Sequence, residues 1–143
     1  TDGKRIGAFF GSEGLHCYDL DGKPLWKKDF GLLDSGFFVA PDAQWGFASS
    51  PVLFEDKVIV LADVQKDSFL AALDATTGDQ LWRTPRNDVP TWATPTVHLD
   101  PARDAGGSSA QVLVTALCWT GGVPVRPQAL RQTGSVEVQV SED

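Results

Sequence analysis

Short apolar runs, broken by Gly, Pro and Asp, pattern the chain, and nowhere does an apolar period of 3.6 residues persist for three turns. The runs are rich in β-branched and aromatic residues. They predict strands over 5–12, 15–20, 25–30, 52–55, 57–64, 68–75, 80–84, 95–99 and 111–117. Another is expected at 136–140, where Val136, Val138 and Val140 alternate with Glu137 and Gln139. Asp21-Gly22 and Thr77-Gly78 are the clearest turns, since glycine supplies the positive φ that a tight hairpin needs. Strands joined this way make an antiparallel meander, so the expected fold class is all-β.

The chain also resembles itself. The segment from Leu15 to Trp26 lines up with that from Leu70 to Trp82, with one residue inserted in the second copy. Each copy runs strand, Asp, turn with Gly, then Leu-Trp. The structural positions it marks are Asp19, Gly22 and Trp26, then Asp74, Gly78 and Trp82. A second match pairs the stretch from Trp45 to Val52 with that from Trp92 to Thr96. Pro51 and Pro95 lie 44 residues apart, and Trp26 and Trp82 lie 56 apart. Both spacings suit one four-stranded blade plus insertions. The divisions that follow are an incomplete blade over 5–30, a complete one over 45–84, and a divergent or incomplete one over 92–143. A blade cannot bury its own faces, so neighbouring blades must stack. A tryptophan repeated at one position is the expected filler, its indole N–H donating to backbone of the adjacent blade.

The Leu-Asp-x-x-Thr-Gly-x-x-Leu-Trp string from Leu73 to Trp82 resembles the repeat of quinoprotein-type propellers, the pyrroloquinoline quinone (PQQ)-like repeat. The stretch from Tyr18 to Trp26 looks like a variant of it. Ser50-Pro51-Val52 and Thr94-Pro95-Thr96-Val97 are similar to the first strand of such blades. The resemblance covers residues 5 to about 117. It implies a partial β-propeller of about two to three four-stranded antiparallel blades, and a bacterial, periplasmic or extracytoplasmic setting. Enzymes of this family bind PQQ and calcium through a Glu, an Asn and a catalytic Asp, often beside a disulfide between adjacent cysteines. This chain has no Cys-Cys pair, and its one Asn is Asn87, in a Pro-flanked loop. The expectation is therefore no cofactor, no metal and no catalytic residue.

Composition narrows the field further. The 143 residues suit one domain, and the net charge of −7 argues against nucleic acid, which needs a clustered basic surface. The adjacent basic pair Lys27-Lys28 sits among Asp21, Asp29 and Asp34. No apolar run approaches the length of a membrane span. The chain carries no signal peptide and begins at Thr1 rather than Met. Cys17 and Cys118 lack ligand spacing for zinc; a disulfide between them is allowed by number alone, and buried free thiols are common.

Each candidate for chemistry has a plainer structural reading. Asp19 and Asp74 recur at one position, which suits carboxylates that hold turn amides better than catalytic acids. Asp19-Leu20-Asp21-Gly22 begins like a calcium loop, but Phe30 stands where the bidentate Glu belongs. Gly11-Ser12-Glu13-Gly14 has the wrong spacing for a nucleophile elbow and reads as a turn. His16 and His98 have no matching nucleophile and carboxylate. Gln65 to Ser68 is a polar turn. The segment from Asp29 to Gln44 is too long for a hairpin turn and is expected as an inter-blade loop. Its aromatic residues Phe37 and Phe38, with Trp45 and Trp92 beside the matched strands, form a candidate binding rim.

After Val114 a third Asp–Gly–Trp string is due and does not arrive. Ala129 to Gly134 echoes it faintly, with Arg131 where Asp belongs and Gln139 nearest the tryptophan position. Pro124 and Pro127 interrupt the expected strand. The readings are a divergent blade or a shift of reading frame near 115–119, and poor packing is expected over 117–143. The expected function is a non-catalytic interaction scaffold, part of a larger protein, whose partner is another protein or the remaining blades of a larger propeller. The alternatives are a fragment of a PQQ-dependent dehydrogenase and a small-ligand or sugar binder.

Overall fold

A computed structural model of the chain describes residues 1–37, 40–87, 90–99, 110–113 and 135–137. Among these residues the fold is all-β. A first sheet has the order β1 (Arg5–Phe9), β2 (Leu15–Asp19), β3 (Pro24–Lys28). A short hairpin pairs β4 (Gly36–Phe37) with β5 (Ala40–Gln44). The central sheet has the order β6 (Val52–Phe54), β7 (Lys57–Ala62), β8 (Phe69–Asp74), β9 (Gln80–Pro85). A last sheet has the order β10 (Thr96–Leu99), β11 (Ala110–Leu113), β12 (Ser135–Glu137). Every pairing is antiparallel.

Several boundaries move from their expected places. β1 ends at Phe9 rather than at residue 12, because the positive φ of Gly11 (59°) and Gly14 (92°) takes the chain out of the ladder around the short 3-10 turn Gly11–Glu13. Ser12 then turns its Oγ to accept from the Leu33 amide at 2.9 Å. The segment from Asp29 to Gln44 is not wholly a loop, since it holds the β4–β5 hairpin with its bulge at Gly36/Phe37. β7 stops at Ala62 because Asp63 is engaged by side chains beyond the sheet. The stretches 100–109 and 114–134, and residues 138–143, lie outside the described residues, as does the expected strand beyond Leu113. The expectation of poor packing over 117–143 therefore meets only the backbone of β12, an edge strand beside β11.

The two middle strands of the central sheet are apolar on both faces, Val58–Ala62 in β7 and Phe69–Leu73 in β8. Such continuous runs suit strands covered on each side rather than half-solvated ones. One face presents Val58, Val60, Ala62, Phe69, Ala71 and Leu73, packed with Leu15, Phe9, Trp26 and Phe30. The opposite face presents Ile59, Leu61, Leu70 and Ala72, against Trp82, Val52, Ala93 and Val97. Phe9, Phe30, Phe47 and Phe69 extend the first contact, with ring centroids 4.5–5.5 Å apart. The central sheet is thus sandwiched between two apolar layers, one shared with the first sheet and one with Val97 of β10.

The two hairpins matched in the sequence have one register. Cys17 pairs with Trp26 and Ala72 pairs with Trp82, and each ladder bulges immediately afterwards, at Cys17/Tyr18 and at Ala72/Leu73. The turns close alike: the Asp19 carboxylate accepts from the amides of Asp21 and Lys23, and that of Asp74 from those of Thr76 and Thr77. Each carboxylate is thereby held on turn backbone through its Oδ1.

Trp26 joins the first sheet to the central one. Its indole N–H donates to the Ala75 carbonyl at 3.1 Å, and its ring lies over Gly78, where an added Cβ would stand 2.6 Å from ring carbon Cε3. Covering even half of an indole's ~200 Å² contributes about 2–3 kcal/mol. Arg5 adds a second link, its guanidinium 3.1 Å from the Thr76 hydroxyl. At the matched position Trp82 is partly covered. Its indole nitrogen is buried and meets no acceptor among the described residues. Gly78→Ala is expected to cost about 2–5 kcal/mol, from a methyl at φ 77° and from displacement of the ring. Chemical denaturation measures it; a loss under 1 kcal/mol would show that the ring does not rest on this glycine.

Candidate functional site

The turn carboxylates occupy one end of the sheets, and loops gather at the other. The 63–68 loop between β7 and β8 meets the chain leaving β9 and the long segment between β3 and β6. Asp63, 1% exposed, anchors this end. It accepts from Arg86 Nε at 2.7 Å and Nη2 at 3.3 Å, and from the Thr91 hydroxyl at 3.2 Å. Backbone reinforces the knot: the Thr91 amide donates to the Asp63 carbonyl and the Arg86 amide to the Ser68 carbonyl. Ser68 closes its own loop, its Oγ donating to the Val64 carbonyl and accepting from the Val64 amide. The Gln65 amide donates to the Asp34 carbonyl, tying in the long segment. A forked guanidinium suits a carboxylate better than a lysine would, so the pair fixes the direction in which the chain leaves β9.

This frame positions two of the expected rim residues. Trp45 and Trp92 come together, ring centroids 5.4 Å apart and planes inclined by 31°. Trp92 is fixed by an indole N–H donated to the Gly46 carbonyl at 2.7 Å, and the Trp45 amide donates to the Ser35 carbonyl. Ser49 and Ala93 join the two strand approaches through a 2.8 Å hydrogen bond. Trp45 remains 53% exposed, a large aromatic surface held by a partner ring. Of Phe37 only the backbone in β4 is described, and Phe38 lies outside the described residues, so the rim stands on Trp45 and Trp92.

Gln44, which directly precedes Trp45, also lines a cavity of about 610 Å³ beside Phe30, Leu33, Gln65, Lys66 and Arg83. Its amide donates to the Gln65 side-chain oxygen at 2.8 Å. The Arg83 guanidinium carbon sits 3.8 Å from the centre of the Phe69 ring, a cation–π contact that closes the floor. Asp34, Asp42 and Asp67 face the same space as Lys66 and Arg83, so both signs of charge are represented. Nothing in the sequence singled out this cavity or the Asp63–Arg86–Thr91 knot. The signal for the knot was a lone Asp directly after the apolar run 57–62, with an Arg directly after Pro85.

The remaining candidates fall apart spatially or are structurally occupied. His16 lies with its Nε2 3.1 Å from the Glu13 carbonyl and its Nδ1 3.3 Å from the Tyr18 hydroxyl. A neutral ring protonated at Nε2 satisfies both contacts. His98 lies on β10, of which the backbone alone is described. Cys17 is a buried free thiol, and burial pushes its pKa up, suppressing the reactive thiolate. Cys118 lies outside the described residues. Among the described residues no three His, Cys, Asp or Glu side chains converge as metal ligands, and no helix is long and apolar enough to cross a membrane. No protein-family model, curated protein or solved structure matches the chain.

Two outcomes are expected. Arg86→Ala leaves the buried Asp63 carboxylate without its cation and should destabilise by about 3–5 kcal/mol in urea unfolding; a change below 1 kcal/mol would mean the pair contributes no net stability. In a Cys118→Ser background, Cys17 should resist Ellman's reagent until the chain unfolds, and prompt labelling at pH 8 in native buffer would contradict its burial.

Proposed function

We propose that this chain is part of a β-propeller of the PQQ-like repeat kind, that it serves as a non-catalytic scaffold binding another protein, and that further sheets of a larger protein complete it. The observation that carries the scaffold reading is the Trp45–Trp92 pair. A large exposed aromatic residue such as Trp45, braced by a half-buried partner ring on a hydrogen-bonded frame, is what protein partners bury at the centre of an interface. The shared register of the two tryptophan hairpins supports the propeller reading, because equal units stack by equal contacts. The use of Asp19 and Asp74 as matched turn acceptors supports a structural role for both.

The cavity beside Gln44 favours a second reading, a small polar ligand held between Phe30, Lys66 and Arg83. Two measurements separate the readings. Trp45→Ser should keep the circular dichroism spectrum and lower capture of protein partners from source-cell extract at least tenfold, whereas Arg83→Ala should leave capture unchanged. The reverse pattern, together with saturable sugar binding by calorimetry, would favour the small ligand. Titration with PQQ plus calcium is expected to give no saturable heat. Micromolar binding, abolished by one carboxylate substitution, would overturn the scaffold in favour of a dehydrogenase.

A further inference from the structure

The cavity beside Gln44 gathers charges that the fold itself does not use. Lys66 and Arg83 line it together with Asp34, Asp42 and Asp67. Among the described residues neither cation forms an ion pair with any of these carboxylates, whereas Arg5, Lys57 and Arg86 are each paired with an acid. The Arg83 guanidinium is braced by an apolar surface instead, its carbon 3.8 Å from the centre of the buried Phe69 ring. That contact restrains the side chain and leaves its N–H donors uncommitted to any oxygen among the described residues.

Asp67 shows the same pattern from the acidic side. It lies in the 63–68 loop at φ 59°, a left-handed backbone that Asp tolerates and that glycine would adopt with less strain. Asp19 and Asp74 hold turn amides with their carboxylates, but the Asp67 carboxylate accepts no hydrogen bond among the described residues. It is thus kept at the cavity without a local structural task. The loop that carries Lys66 and Asp67 is itself fixed. Ser68 bonds both backbone groups of Val64, the Gln65 amide donates to the Asp34 carbonyl, and the Gln44 side chain donates to that of Gln65. The charged groups therefore stand on backbone that is positioned before any ligand arrives.

Opposite charges around one open space select against simple ions. An anion drawn to Arg83 and Lys66 meets three carboxylates, and a cation drawn to the carboxylates meets two cations. A small molecule that carries both charges is attracted at both ends. Phe30, Leu32 and Leu33 add an apolar wall, and about 610 Å³ leaves room for a side chain beyond the two charged groups. We propose that this cavity binds a small zwitterion, an α-amino acid or short peptide with an apolar side chain. Its carboxylate lies on Arg83 and Lys66, its ammonium group among the three aspartates, and its side chain on Phe30 and Leu33. The inference rests on the small-ligand reading of the cavity and leaves the Trp45–Trp92 surface to a protein partner.

Calorimetry on the full 143-residue chain tests this with four probes. They are L-leucine, leucyl-leucine, leucinamide, which lacks the carboxylate, and N-acetyl-leucine, which lacks the ammonium group. Leucine or leucyl-leucine should bind saturably at millimolar concentration or below, and the tighter of the two identifies the occupant as free amino acid or peptide. Each blocked analogue should bind about tenfold more weakly than leucine. Arg83→Gln should lower leucine to the level of leucinamide, because the carboxylate then has lost its forked partner. Asp67→Asn, which keeps the left-handed backbone, should lower leucine toward the level of N-acetyl-leucine. Equal binding of leucine and both analogues, or a preference that survives both substitutions, would overturn the zwitterion site. So would the absence of saturable heat from leucine and leucyl-leucine. In that event, saturable binding of methyl glucoside that is lost in Arg83→Gln would keep the small-ligand reading, and no binding of the glucoside would defeat that reading too.

Discussion

The Trp26 indole is the central link between the first and central sheets. Trp26 needs a glycine beneath it and a carbonyl at its edge, and the turn after β8 supplies both within four residues, Ala75 and Gly78. That turn keeps its shape because the Asp74 carboxylate gathers the amides of Thr76 and Thr77. The Asp, the Gly and the Trp are therefore one device spread over two sheets. Two of its parts shape the turn that receives the ring, and the third, from the sheet before, uses it.

The central sheet follows from the same constraint. Contact on both faces removes the alternation that a half-solvated strand would show, so β7 and β8 are apolar throughout. β9, at the sheet edge, returns to alternation, with Trp82 and Thr84 less exposed than Leu81 and Arg83. The loop end depends on polar rather than apolar restraint. There the buried Asp63–Arg86 pair and its Thr91 partner fix the chain leaving β9, and so the approach to Trp92.

Much of the strand framework was legible in the sequence, because turns with Gly and short β-branched runs are local signals. Leu15 to Trp26 and Leu70 to Trp82 announced their hairpins directly, and Asp19 and Asp74 announced their turns. The β4–β5 hairpin was not legible: Ala40-Pro41-Asp42-Ala43-Gln44 lacks β-branched residues, and its pairing depends on the neighbouring frame. The 3-10 turn at Gly11–Glu13 hid inside an apolar run that continues to Phe10. Of the rim, Trp45 and Trp92 were visible through their place ahead of matched strands. The Asp63–Arg86 pair spans 23 residues, and the cavity wall combines three separate segments; contacts of that kind leave no periodic trace.

The first and central sheets each carry different chemistry on their two sides, a tryptophan on one and a glycine-bearing turn on the other. Such a contact is heterologous: no two-fold axis relates its halves, and it can be repeated without limit in one direction. What decides the outcome is then the small rotation between successive sheets. If the rotations sum to a full circle, the array closes on itself and its first turn receives its last indole. If they do not, the array climbs into a helix with one face of each type left at its ends.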